Sequence, residues 1–385
     1  MATSTLKSTG GDYVSIVAWE ADKQGNLTEP EILECYKGTT VNGGWQADGS
    51  LNEMGVNIDG WVASATNRII IRAASGEEHK GVQGAGFRIA GTPANFGNVL
   101  IVSTAFAELA DLELQNLRTS NGSCVQVQNT GADPLYIMRC IFASESGACI
   151  AGIAEGIVQN CLLLGGVSTS SGLSVSSFSG AVIDNCTAIG PLASGFRSAS
   201  SVASVTYKNC VAQGCDTDFD DRGQGWGAQT TNNASGDGTA PGADSVTGVV
   251  EGDFVDYAGG DYTPATSGKL DGTGADLSGS FTDDIAGNTR SVPWEIGAYE
   301  IAGAAPGVTF DGPDIIAQTA TEGVQYTFQD NGEGTVASRF TGATSYAYAP
   351  GSDQPAGITI NATTGNPEGT PSVSGTFDIT IEGSD

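Results

Sequence analysis

The chain is 385 residues long and carries 44 Asp+Glu against 15 Lys+Arg, a formal charge of −29. Charged residues are only 15% of the sequence, against about a quarter in an average domain, so the acidity comes from missing bases. A basic stripe for phosphates is absent and no apolar run approaches the roughly 18 residues of a membrane span, so neither nucleic acid nor membrane insertion is expected.

In chain order, residues 1–11 read as an N-terminal arm without the apolar region of a secretory signal. Residues 12–24, DYVSIVAWEADKQ, predict a short helix with Asp12 as N-cap and Tyr13, Ile16, Val17 and Ala21 on one face. His79 is the sole histidine and sits in the loop-like SGEEHKG, where a surface position is expected.

The central region is organised by its cysteines. Cys140, Cys161, Cys186 and Cys210 are separated by 21, 25 and 24 residues, each in a short apolar stretch. One period earlier, Leu117 is expected in the same place. A second row runs Cys124, Cys149, Leu173, Phe196 and Phe219. Asn116, Asn160, Asn185 and Asn209 precede the first row, with Arg139 as the one departure. Two rows sharing one period signal a solenoid. Within a unit, AVIDNCTAI and SVTYKNCVA alternate apolar and polar residues as half-buried strands do, and Gly/Ser/Asn clusters separate them. A unit of about 24 residues with short strands and no helix is one coil of a parallel β-helix. Residues 60–300 then hold about ten coils, a rod of roughly 45–50 Å from the strand spacing. The 56 glycines are turn residues of those coils. The thiols are expected to be reduced core fillers, with disulfides between stacked neighbours as the alternative.

Acidic residues cluster once, in DTDFDDR (216–222). Asp216, Asp218 and Asp220 would share the outward face of a strand, which leaves a calcium site open. The spacing departs from a calcium loop, with Asp221 and Gly227 at its sixth and twelfth positions. Arg139, Arg197, Lys208 and Arg222 are the basic residues of the repeat, and their offsets from the ladder do not align on one face. No catalytic, cofactor-binding or metal residue is assigned.

FTDDIAGNTRSVPWEIGAYE (281–300) resembles the closing segment of right-handed parallel β-helix proteins, D-x-x-G-x-x-R followed by D-I-G-A-Y-E. Asp284, Gly287, Arg290, Ile296, Gly297, Ala298, Tyr299 and Glu300 match, and Glu295 replaces the usual Asp. The stretches NNASGDGTAPGADS (232–245) and FVDYAGGDYTPATSGKLDGTG (254–274) also resemble that family. After a linker at 302–308, PAGITINATTGNPEGTPSVSGTFDITIEGSD resembles the end of Ig-like domains of bacterial surface and phage proteins. Pro355, Gly357, Ile360, Thr364, Gly365, Gly369, Thr370 and Pro371 meet their pattern, and Pro367 stands where an apolar residue is usual. The expected fold is all-β: a right-handed parallel β-helix solenoid over 12–301 with a capping helix, then an Ig-like β-sandwich over 309–385.

The resemblance implies the fold and not the function, since such proteins include polysaccharide lyases and hydrolases, cell-surface proteins and phage virion proteins. With no secretory signal and no recognisable catalytic motif in the sequence, the expectation is a non-enzymatic structural or adhesive virion protein of a phage, forming a fibre, capsid decoration or tail-associated part. Its expected partners are other virion proteins, further copies of itself and a host-surface glycan, without a cofactor. A tailspike-type polysaccharide lyase or hydrolase and a bacterial surface adhesin, extracellular or at the cell surface, are the alternatives.

Overall fold

Strands of three to five residues with one apolar face are too short to be stable alone, and the chain stacks them. In the computed structural model, the described residues between 2 and 247 form three parallel sheets. The first has eight strands, from Ala2–Leu6 and Glu31–Cys35 to Thr206–Lys208. The second has eight, from Arg88–Gly91 to Val246–Thr247, and the third seven, from Val56–Ile58 to Phe219–Asp220. The chain visits the sheets in turn and then climbs one rung. Thus Leu135–Met138, Ile141–Ser144 and Ile150–Ile153 make one coil, and Gly156–Gln159, Leu162–Gly165 and Ser171–Val175 the next. Corresponding strands pair in parallel, Ile137 beside Val158 and Ile141 beside Leu162. This is a parallel β-helix, as the repeat predicts.

The structure describes residues 2–301 apart from 92–96, 118–121, 129–133, 167–170, 176–179, 199–204 and 224. Beyond 301 it describes 309–310, 323, 325, 336, 340–341, 345–348, 353–373 and 379–384, so the expected linker lies outside the described residues. Two compact units divide the chain, Met1–Ile301 and Ala302–Asp385.

A corner two residues long joins the first sheet to the second. Its first residue is left-handed, at Asp111 (φ 59°), Arg139 (49°), Asn160 (52°), Asn185 (48°), Asn209 (52°), Asn232 (51°) and Asp244 (54°). Asn and Asp tolerate this conformation because their short side chains bond locally. The second corner residue points inward: Leu112, Cys140, Cys161, Cys186 and Cys210 are fully buried. Leu112 and Asp111 therefore occupy the places expected of Leu117 and Asn116. Strand pairing of Met138 with Ala110 fixes this register. Leu117 is instead 40% exposed, and Asn116 ends the strand Glu113–Asn116. The second row is also one residue out of step. Val125, Ile150, Leu173, Phe196 and Phe219 are the true rung partners, and Cys124 and Cys149 sit one residue earlier.

The first sheet has eight rungs, spanning about 34 Å at the usual strand spacing of about 4.8 Å. The expected count of ten, over residues 60–300, includes 254–300 as coils and leaves out the two rungs before residue 60, Ala2–Leu6 and Glu31–Cys35. Residues 254–300 form a strap instead, whose Leu270, Ile285, Ile296 and Ala298 pack with Ile141, Leu162, Ile189 and Val211 of the second sheet. Aromatic residues close the ends of the interior. Trp19 lies tilted against Trp61 at one end (5.3 Å between ring centroids), and Phe196, Tyr207, Phe219 and Trp226 interlock at the other.

The N-terminal arm is part of the solenoid: Ala2–Leu6 pairs in parallel with Glu31–Cys35. The helix that follows, α1, spans Ile16–Lys23 and is capped by Ser15, whose hydroxyl accepts the Ala18 N–H at 3.1 Å. Asp12, the expected cap, instead accepts from the Thr5 N–H and hydroxyl (both 2.8 Å) and so covers the edge strand. The buried face of α1 is Ile16, Trp19 and Glu20, while Val17 is half exposed. Glu53 finishes the cap, accepting the Ile16 and Val17 N–H groups at 2.8 and 3.0 Å.

In the second unit, Ser345–Tyr348 pairs antiparallel with Ile381–Ser384, Ile358–Ile360 with Pro367–Gly369, and Thr309–Phe310 with Phe340–Thr341. Pro367 is the first residue of its strand, where a missing N–H is tolerated.

Candidate functional site

The resembling motif and the asparagine row meet in one place. Left-handed geometry turns the corner side chains outward, and the strap runs across them. Asn160 Nδ2 donates to the Asp283 carbonyl (2.8 Å), Asn185 to those of Glu295 and Gly297 (3.2 and 3.0 Å), and Asn209 to that of Ala275 (2.8 Å). Asn232, which the cysteine row gave no reason to include, donates to Thr273 (3.0 Å). Asn209 Nδ2 also reaches Asn185 Oδ1 at 3.1 Å, the coil-to-coil amide bond that stacking allows. Arg139, the departure in the row, fills the same role with charge, holding Asp111 (2.7 Å) and Asp283 (2.6 Å).

Beneath the row, each thiol donates to the carbonyl two residues earlier, Cys140 to Met138, Cys161 to Gln159, Cys186 to Asp184 and Cys210 to Lys208, at 3.2–3.4 Å. All eight cysteines are free thiols. Burial pushes Cys140, Cys161 and Cys186 well above the ordinary thiol range. These sulfurs are packing residues with a weak donor, not nucleophiles.

The motif residues form a buried network. Arg290 Nη2 donates to Asn160 Oδ1 and to the carbonyls of Gly297 and Ala298, each at 3.0 Å, and Nη1 reaches Glu300 at 3.4 Å. Glu300 also accepts the Ser291 N–H and hydroxyl at 2.7 and 2.9 Å. Asp284 accepts from the N–H groups of Ala286, Asn288 and Glu300. Gly297 lies so close to the second sheet that a Cβ would stand 2.9 Å from Thr187 Oγ1, and its φ of 113° suits glycine. The Tyr299 hydroxyl donates to the Gly81 carbonyl at 2.7 Å.

His79 is buried, not on the surface, with 1% of its area exposed. Its Nδ1 accepts the Gly81 N–H at 2.9 Å, so Nε2 carries the proton and donates to the Arg139 carbonyl at 2.8 Å. Burial lowers its pKa. It joins the loop at 77–87 to the same corner row.

The acidic cluster does not converge. Asp216 is exposed, Asp218 is buried, and Asp220 sits beside Arg222 (3.3 Å) and Arg197 (3.9 Å). Asp218 accepts the Gly236 and Asp237 N–H groups at 2.7 and 3.1 Å, while the Asp237 carboxylate accepts the Asp218 N–H at 3.0 Å. Burial, with Asp237 nearby, raises Asp218 to about 6. The pair is a reciprocal loop clamp. Among the described residues, no group of three or more His, Cys, Asp or Glu side chains is arranged to hold a metal ion. Arg139 serves the corner and Lys208 the first sheet, so the four basic residues do not form one strip.

The C-terminal unit presents an open cleft of about 430 Å³ between Tyr346–Tyr348 and Gln354–Ile360. Tyr348 lies along it with its hydroxyl donating to the Ile358 carbonyl at 3.1 Å.

Residues 308–385 match the family described as "Putative Ig domain". No curated protein matches the chain. Among solved structures, it is similar to the pectin methylesterase from Aspergillus niger, with 12% identity over 65% of this chain and 90% of that one, TM-score 0.36. It is also similar to pectate lyase Pel9A, with 13% identity over 78% and 96%, TM-score 0.36. The chain thus combines a parallel β-helix, defined by its own strand pairing, with an Ig-like C-terminal domain.

Proposed function

We propose that this chain is a structural and adhesive virion protein of a phage, a β-helix rod carrying an Ig-like contact module. The observation that supports this reading is the sealed corner. The place where the motif residues converge is spent on holding a strap, with the corner asparagines and Arg290 bonded to groups within the fold. The Ig-like cleft supplies the contact surface: Tyr348 offers an aromatic face, and Gln354 and Thr359 offer hydrogen-bonding groups, a mixture suited to a neutral glycan. A net charge of −29 disfavours acidic glycans. Weak single sites become useful when many copies are displayed together.

Immunogold electron microscopy with an antibody to the chain should label phage particles at regular positions. Labelling confined to bacterial cell surfaces would overturn the virion placement in favour of an adhesin. Incubating the purified chain with neutral and acidic polysaccharides should release neither reducing ends nor unsaturated products, and either product would overturn the non-enzymatic role.

A further inference from the structure

We propose that the strap is an acid-tightened clasp: Glu295 stays protonated against Glu300 and Arg290, and ionising it opens residues 283–300 from the second sheet. The proposal rests on how charges and donors are shared out in a site closed to water. Glu295, Glu300 and Arg290 are 1%, 4% and 6% exposed. Arg290 brings one positive charge and divides its N–H groups among three carbonyls, Asn160 and Glu300. Glu300 is well supplied, with two donors from Ser291 besides the arginine. Asp284 has its own donors from Ala286, Asn288 and the Glu300 N–H. Glu295 is the surplus carboxyl. It faces Glu300, and among the described residues its Oε2 has no hydrogen-bond partner. A third buried negative charge there would lie against a like charge with one of its oxygens lacking a donor among the described residues.

The charged groups packed around this cluster do not supply that donor. Asp283 on the strap is paired with Arg139 of the corner row, which also holds Asp111. His79, on the loop below, is turned to the Arg139 carbonyl. Asp184 and Lys208 belong to the outer row of the first sheet, beside Gln159. Burial first, and Glu300 second, raise Glu295 to about 9.

Opening exposes Glu295 to water, where it ionises at the ordinary glutamate value of about 4.3. Between that value and about 9 the closed strap therefore binds one more proton than the open one. The opening equilibrium then grows by up to about tenfold per pH unit. What opening uncovers is the apolar stripe Ile141, Leu162, Ile189 and Val211, now packed with Ile285, Ile296 and Ala298.

Hydrogen–deuterium exchange of the full chain between about pH 6 and 9, corrected for intrinsic exchange rates, tests this. Protection of the Ser291, Gly297, Ala298 and Glu300 amides should fall by up to about tenfold per pH unit, while first-sheet amides hold steady. In Glu295→Gln the strap should be better protected and its pH slope lost. Flat protection in the parent chain, or an equal slope in the variant, would overturn the proposal. Carbon-13 spectra of glutamate-labelled parent protein give a check that needs no variant. One glutamate carboxyl should titrate above about pH 8, and the lack of any such carboxyl would also overturn it.

Discussion

Asn185 shows how much one corner residue does. It is fully buried, left-handed, and bonded to Glu295, Gly297 and Asn209 at once. Asn185→Ala removes those bonds and places a Cβ residue without a local polar partner at φ 48°. Each effect costs about 1–2 kcal/mol, so a loss of roughly 2–4 kcal/mol is expected in urea unfolding. Asn185→Gly relieves only the backbone part and should recover about 1 kcal/mol of it. The cysteines below make a different prediction. Seven of the eight are buried and only Cys215 is partly accessible. Burial, with Asp218 nearby, also raises the Cys215 thiol. A thiol reagent at neutral pH should titrate at most one group slowly in the folded chain and all eight after denaturation. Fast reaction of several thiols before unfolding would contradict the ladder packing. The residue row was legible because each corner repeats one backbone geometry and so selects the same small residue. It failed at Asn116 and Leu117 because the coil from Asp111 to Arg139 takes 28 residues, so an extrapolated period of 23 lands five residues late. Asn232 went unseen because Asn233, not a cysteine, follows it.

At the scale of elements, the helix and the strap are the instructive cases. Ser15→Ala should cost about 1 kcal/mol, measured by thermal unfolding, because it removes the Ala18 cap. Asp12→Ala should leave α1 intact and loosen the edge strand, read as faster amide exchange at Thr5. The misplaced cap has a physical source: both Asp12 and Ser15 are good N-caps, and only the pairing of Ala2–Leu6 commits Asp12 elsewhere. Gly297→Ala is expected to lift the strap locally, since its Cβ would crowd Thr187 Oγ1 and Val211 Cγ1. Strap amides should lose protection while the first sheet keeps its own. In sequence the short strap segments between glycines look like any other coil, so a period of about 24 residues counts them among the coils. The strap's partners, Asn160 and Asn185, lie more than a hundred residues away in sequence, and no local pattern carries that information.

For the whole molecule, the buried acids set the pH dependence. Burial is the first cause that raises Glu20, Glu53, Glu113, Asp184 (to about 6), Asp218 (to about 6) and Glu295 (to about 9). Over each interval between the unfolded and folded value the folded chain binds the extra proton, so stability falls as pH rises. His79 works the other way: its lowered pKa costs stability as pH drops below about 6.5. Asp48 and Asp237 are lowered and withdraw support at still lower pH, where they become protonated. Self-repulsion from a charge of −29 adds to the alkaline loss. The thermal midpoint of the solenoid should therefore be highest at about pH 4–5 and fall by roughly several degrees toward pH 9, with added salt recovering part of the fall. A midpoint that rises across that range would contradict this balance. The acid side of this profile is where the strap holds most firmly, so the clasp and the global stability move together.

Sequence alone determined the coil: a short alternating strand, a corner needing asparagine and a small inward residue, and a turn, repeated until the period showed. Those choices depend on local backbone geometry and on which face meets the core, and both are written within some 24 residues. It also marked the Ig-like unit through its turn residues Gly365, Gly369 and Pro371. Tertiary structure alone decided how many coils stack, that residues 254–300 return as a strap, and that Asp218 turns inward while Asp216 does not. Only it showed that His79 and the outward asparagines serve one buried seam. Such facts depend on contacts between residues distant in the chain, where the bonding partner of an exposed-looking polar group is another part of the fold and not water.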